Sequence, residues 1–357
     1  MNMVKGTSAY LSAQQREVVH QLARSWLWRS ELPTWLLIIT VYSGWFASVL
    51  YWQTLGLPLA TLLLILFTTW YLSLQHELIH GHPTRLPRLN QLFGTLPLAV
   101  WYPYGLYRDS HLAHHRNHTL TDPHDDPETY YLSPAHWARL NPWQQRVIHL
   151  RNTFPGRLLL GPLLDILATL RALTQSVVQR DVPAMMMWLV HLLLLAGLFY
   201  WLSLHGFSPL WLVLAVSYPA LMLTKVRSFY EHRADEAPLA RSVNNEAAWP
   251  WRLLFLNLNY HSVHHDLPGL PWYGLRKVYL LYRDGYYQRN QGFRVAGYGE
   301  WMKRFWRQPI DVNAHPGHHK DAQNAHHLFT DVRHRPPEHA GHDLSADAAA
   351  GEARRAG

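Results

Sequence analysis

The sequence predicts an all-α integral membrane protein, four transmembrane helices in two hairpins with a helical cap on the cytoplasmic side. Three observations carry this. The window 33–75 holds no Asp, Glu, Lys, Arg or His, and the window 182–224 holds no Asp, Glu, Lys or Arg. Each is 43 residues long, which as helix reaches ~65 Å, twice the ~30 Å of a hydrocarbon core. Third, the basic residues are segregated: the two hairpin tips carry no Lys or Arg, while ten Arg lie between residues 81 and 181. By the positive-inside rule this puts both termini and the middle loop in the cytoplasm.

Taken in order, the cytoplasmic segment 1–32 is polar and lacks an apolar core followed by a small-residue cleavage site, so no cleaved signal peptide is expected and the first span directs insertion. Spans 35–53 and 57–75 are divided by Gly56 and Pro58, and spans 183–204 and 207–224 by Gly206 and Pro209, residues that punctuate helices. Between the hairpins, 91–107 is apolar but broken by Pro97 and Pro103, which predicts a helix lying in or dipping into the membrane interface. These parts make one membrane domain, 33–310. From 311 to 357 the chain is rich in His, Ala, Asp and Pro, a composition that cannot bury enough apolar surface to order itself. The net charge of +8 reads as topology and contact with the lipid bilayer, with no nucleic acid partner. Zero Cys excludes disulfides, thiolate-bound zinc or iron–sulfur clusters and a thiol nucleophile.

Of 25 His, eight lie after residue 310, and nine others form four clusters that follow the hairpins. His76 and His80 are spaced i, i+4 on one helical face at the end of the second span. His111, His114 and His115, and again His261, His264 and His265, repeat the spacing i, i+3, i+4. His232 follows the fourth span by eight residues. Because each hairpin crosses twice, all nine imidazoles emerge on one side. Nitrogen donors without thiolates suit iron or zinc, and nine exceed the four to six positions of one ion, so two metals are implied. Splitting an unactivated C–H bond with O2 requires redox change, which iron provides and zinc does not. Glu77, Asp122, Asp125, Asp126, Glu231 and Asp266 are candidates to orient the ring nitrogens turned away from the metals. His82, His118 and His124 read as supporting or surface residues, and His191 as a hydrogen-bonded helix-packing residue. His315, His318 and His319 repeat the triplet spacing around Pro316 and Gly317, which reads as compositional bias.

These residues resemble the membrane fatty acid desaturase and hydroxylase superfamily, which also includes alkane hydroxylases and carotenoid-modifying oxygenases. The resemblance covers roughly 35–282. It is carried by His76-Glu77-Leu78-Ile79-His80-Gly81-His82, by His111-Leu112-Ala113-His114-His115 continuing to Thr121-Asp122-Pro123-His124-Asp125-Asp126-Pro127-Glu128, by Glu231-His232-Arg233, and by Asn259-Tyr260-His261-Ser262-Val263-His264-His265. It implies a mushroom-shaped helical protein with two Fe ions in a cytoplasmic cap, O2 as co-substrate, and a fatty acid or fatty acyl chain threaded in from the membrane. Carried over position by position, the ligands are His76, His80, His111, His114, His115, His232, His261, His264 and His265. With no flavin, haem or iron–sulfur motif in the chain, it also implies an external electron donor, a ferredoxin-type or similar reductase system, at a bacterial cytoplasmic membrane.

The first box departs from the acyl-CoA desaturase form, having Glu77 directly after the first His and three residues between the pair, as in alkane hydroxylases. Bacterial relatives include desaturase-like decarboxylases that convert free fatty acids to terminal 1-alkenes. Desaturation is the leading reading, and hydroxylation and oxidative decarboxylation stay open. The sequence is also compatible with two other classes, each weaker. His-Glu-x-x-His is also the zinc metalloprotease signature, with Glu77 as general base, but a protease leaves the other boxes idle. A metal carrier would place metal-binding residues along its spans, which hold no Asp or Glu and, of the His, only His191 and His205.

Overall fold

The computed structural model describes residues 11–116, 119–313 and 315–316. Among them the chain is helical, with no strand beyond isolated bridges. Helices α1 (Ala13–Ala23) and α2 (Trp26–Ser30) precede the first long pair, α3 (Leu32–Leu50) and α4 (Leu57–Ile79). Pro33 and Pro58 sit in the first turns of this pair, where the missing N–H is no loss. Gly56 turns the chain between them at φ 77°, a conformation a side chain would resist. Val41, Trp45, Leu64 and Tyr71 fill the seam with no exposed surface, and Trp45 Nε1 donates to Thr68 Oγ1 at 3.1 Å.

Two further helices, α5 (Pro87–Thr95) and α6 (Tyr104–Arg116), are joined by non-helical residues 96–103. The interfacial helix expected over 91–107 is therefore corrected: only its start and its end are helical, and Leu98, Ala99 and Val100 are buried inside the bundle. Irregular backbone in an apolar interior must find its hydrogen bonds locally. Side chains from the long helices supply them. The Tyr71 hydroxyl donates to the carbonyls of Gly94 (2.7 Å) and Leu96, and Gln75 Nε2 to Gly94 (2.8 Å). Ser217 Oγ donates to Ala99 (2.6 Å) and His191 Nε2 to Val100 (2.8 Å), so His191 is a packing residue.

The second hairpin is α8 (Val182–Leu204) and α9 (Pro209–Tyr230), turned at Gly206 with φ 68°. Within α9, Leu212–Ser217 winds as a π-helix. Pro219 has no N–H for the Ala215 carbonyl and its ring crowds that oxygen, so the ladder widens and Tyr218 N reaches Val213 O.

Preceding α8 is α7 (Phe154–Val178), which makes five helices long and apolar enough to cross a membrane where four were expected. It lies outside the two uncharged windows because it carries Arg157, Asp165 and Arg171. In the fold two of these charges turn inward. Asp165 pairs with Lys225 of α9, and buried Arg157 donates from Nη2 to Asn152 Oδ1 at 2.6 Å with its guanidinium 3.9 Å from the Tyr130 ring centroid. Leu159, Leu163, Leu167 and Leu170 remain exposed.

The cap is completed by α10 (Trp249–Leu254), α11 (His261–Asp266), α12 (Trp272–Leu281) and α13 (Tyr298–Arg304). Past residue 310 the packed chain continues a little: Leu132 N donates to Val312 O at 2.7 Å, and Val312 and His315 are buried. Residues 314 and 317–357 lie outside the described residues.

Candidate metal centre

Helices α4 and α9 each run past the predicted span ends, to Ile79 and Tyr230, and so deliver His76, His80 and His232 to one place. There α6 presents His111, His114 and His115, and α11 presents His261, His264 and His265. The nine rings fall into two groups, in each of which the candidate donor atoms lie within 4.8 Å of one another. One group is His76, His80, His111, His115 and His264; the other is His114, His232, His261 and His265. Helix geometry explains the partition. At ~100° per residue, i and i+4 stay on one face, while i+3 lies ~100° from i+4. The pairs 111/115 and 261/265 therefore keep together, and His114 and His264 each serve the other group.

Ring nitrogens converge as edges of a coordination shell would. His80 and His111 approach Nε2 to Nε2 at 3.0 Å, His115 and His264 at 2.9 Å, His232 and His261 at 2.9 Å, His114 and His232 at 3.1 Å, and His261 and His265 at 3.1 Å. Two imidazoles at ~2.1 Å from one cation, at right angles, have nitrogens ~3.0 Å apart. Neither ring nitrogen of His76 has a hydrogen-bond partner among the described residues, although the side chain is buried. Each such buried orphan costs about 1–3 kcal/mol, which a cation at that point removes. The residues present fit a pair of metal ions.

Electrostatics agree. Burial, then neighbouring rings, hold His80, His115, His261, His264 and His265 well below the usual imidazole range, and His232 is pushed down to about 3. All are neutral, the ligating form. His114 differs: burial, the largest single influence, lowers it, but the carboxylates of Asp126, Glu128 and Glu231 together raise it above the usual range.

The ring nitrogens facing away meet carboxylates. His114 Nδ1 is 2.7 Å from Asp126 Oδ1, and His111 Nδ1 is 3.2 Å from Glu128 Oε2. Glu231 stands 3.6 Å from His261 Nδ1, and Glu77 3.7 Å from His76 Nδ1 while accepting from Trp272 N at 3.0 Å. Two of the expected carboxylates are engaged elsewhere. Asp122 accepts from the backbone N–H of His124 and Asp125 in its own turn, and Asp266 pairs with Arg289 at 2.7 Å. Asp125 is exposed.

Sequence reasoning missed Glu128, although it ends the acidic run weighed for this role. His315 was missed as well. Its Nε2 lies 2.8 Å from Thr121 Oγ1, and Thr121 N donates to Asp126 Oδ2 at 2.8 Å, so the start of the C-terminal segment backs the carboxylate that holds His114. His82 is buried with Nδ1 2.7 Å from Glu31 Oε1. His118, His318 and His319 lie outside the described residues.

Two open cavities lie away from the imidazoles. One is apolar, about 450 Å³, between α3 and α4 near Gly44 and Phe67. The other is a basic cavity beside α10 and α12.

A family model for fatty acid desaturases matches residues 52–297, a stretch that contains all nine imidazoles and every long helix after α3. No curated protein matches the chain.

Proposed function

From the premise that the chain belongs to the fatty acid desaturase family, we propose that it carries out O2-dependent desaturation of a fatty acyl chain at a pair of iron ions, with electrons from a separate donor. The family makes it a membrane oxidoreductase acting on fatty acyl substrates. The observation that carries the finer reading is the partition of nine buried imidazoles into two groups at the cap ends of α4 and α9. Iron bound there supplies O2 activation and an oxidant strong enough for an unactivated C–H bond.

The chain's own residues do the rest. His76, His80, His111, His115 and His264 hold one ion, and His114, His232, His261 and His265 the other. Asp126 and Glu128 fix the rings of His114 and His111 through Nδ1, leaving Nε2 free to bind. Glu77 and Glu231 supply negative charge beside His76 and His261. We place the acyl chain between α4 and α9, whose ends carry His76 and His232, because the C–H bond that reacts is the one held nearest the oxidant. The protease reading gains nothing from this arrangement: Glu77 is occupied by the Trp272 amide, and the other boxes have no task in it.

For topology we read α7 as lying along the membrane surface, which leaves four crossing helices. Phe154 N, at its start, donates to Phe305 O of the cap at 2.8 Å. Its end leads in three residues to α8, whose Met187 packs on Gly105 and whose far-end His205 O accepts from Trp52 Nε1 at 3.1 Å. So α8 starts on the cap side, and α7 both begins and ends there. The ten Arg of 81–181 put that side in the cytoplasm.

Mass-spectrometric analysis of lipid extract and headspace tests the proposal, using membranes that carry the protein with labelled fatty acid, O2 and a reductase system. The expected product keeps every carbon and gains one C=C bond. An alcohol would replace desaturation by hydroxylation, and a volatile alkene one carbon shorter with labelled CO2 would replace it by decarboxylation.

A further inference from the structure

Beside α10 and α12, away from the imidazoles, lies an open cavity of about 480 Å³. Its lining includes Arg252, Arg276, Lys277 and Asn257 together with Leu280 and Leu281. No carboxylate is part of that lining among the described residues. Nor do Arg252, Arg276 and Lys277 enter any ion pair within 4.0 Å among them. The Nε of Arg252 is buried without a hydrogen-bond partner among the described residues. The lining residue Tyr273 has its hydroxyl 3.3 Å from Glu31 Oε2, and that carboxylate is also held by His82 at 2.7 Å.

Depth is fixed by α4. Trp70 Nε1 donates to Leu253 O of α10 at 3.2 Å, and Trp70 precedes His76 by six residues, so α10 sits about 9 Å nearer the membrane middle than His76. Around the cavity the apolar side chains Trp26, Leu27, Trp249, Leu253, Leu280 and Leu281 are all exposed. A set of guanidinium and ammonium groups at this level, framed by unburied leucine and indole, matches one ligand chemistry: an anionic head directly attached to acyl chains.

We propose that this cavity binds the phosphate of an anionic phospholipid of the surrounding bilayer, with Arg252, Arg276 and Lys277 on the phosphate and Leu253, Leu280 and Leu281 along the acyl chains. The lipid anchors this flank of the cap to the membrane surface. Binding is read without turnover, so its outcome is independent of the reaction proposed above.

Native mass spectrometry of the full chain tests it, with the protein released from detergent into equimolar phosphatidylglycerol and phosphatidylcholine. The wild-type protein is expected to retain phosphatidylglycerol with at least tenfold preference. The exposed double variant Arg276→Gln/Lys277→Gln should lose it toward parity, while Arg85→Gln/Arg88→Gln, exposed basic positions elsewhere, should keep it. Equal preference in the wild type, or full preference retained in Arg276→Gln/Lys277→Gln, would overturn the proposal. Displacement of the lipid by millimolar inorganic phosphate would show a free-anion site instead. One-for-one displacement by oleate would show that the cavity holds the carboxylate of a fatty acid.

Discussion

Asp126 illustrates how one buried carboxylate can set a metal site. Its Oδ1 accepts from His114 Nδ1 and from Glu128 N, and its Oδ2 accepts from Thr121 N, so every contact requires an acceptor. In Asp126→Asn one of those N–H groups faces an amide NH2. Loss of such an orienting partner typically costs 10–100-fold in metal affinity or activity, and iron per chain should fall to match. His264→Ala removes a donor from the five-imidazole group and is expected to abolish turnover and lower iron content with the helices still inserted; retained turnover would sink the iron assignment. Eight of the nine imidazoles were legible in the sequence because i, i+4 or i, i+3, i+4 spacing on a helix is a statement about direction, and His232 was legible only by its place after the fourth span. The carboxylates were less so. Glu128 lies in a turn with no periodicity to say where it points, and Asp266, one residue after His265, is carried ~100° round the helix toward Arg289, a partner no local pattern announces.

At the level of elements, the long helices were legible wherever charge was absent from the chain, and α7 was not, since the partners that accommodate Asp165 and Arg157 come from α9 and the loops beside it. The same limit applies to residues 96–103. Their apolar, proline-broken pattern is shared by interfacial helices, and only side chains arriving from α4, α8 and α9 make a buried irregular strip tolerable. This has a measurable cost. In Tyr71→Phe two buried carbonyls each lose one of two donors, since Gly94 keeps Gln75 and Leu96 keeps the N–H of Leu98. A lost intramolecular hydrogen bond costs about 0.5–1.5 kcal/mol, so the variant should unfold at lower temperature in detergent. Gln75→Leu, which strips one donor from Gly94 alone, should cost less.

For the whole molecule, the absence of Cys permits a direct topology test. Single substitutions Gln53→Cys, Arg139→Cys and Gln179→Cys, all at exposed positions, can be labelled with a membrane-impermeant maleimide. Residues 139 and 179 are expected to react from one side and 53 from the other; labelling of 179 together with 53 would mean that α7 crosses the bilayer. The shared helices have a further consequence. Because α6 and α11 each present rings to both groups, filling either position fixes the helices that shape its neighbour. The two ions should then load cooperatively. An anaerobic ferrous titration followed by native mass spectrometry should show empty and doubly filled chains in excess of singly filled ones at half saturation, so that iron scarcity lowers the number of complete centres without producing partly built ones.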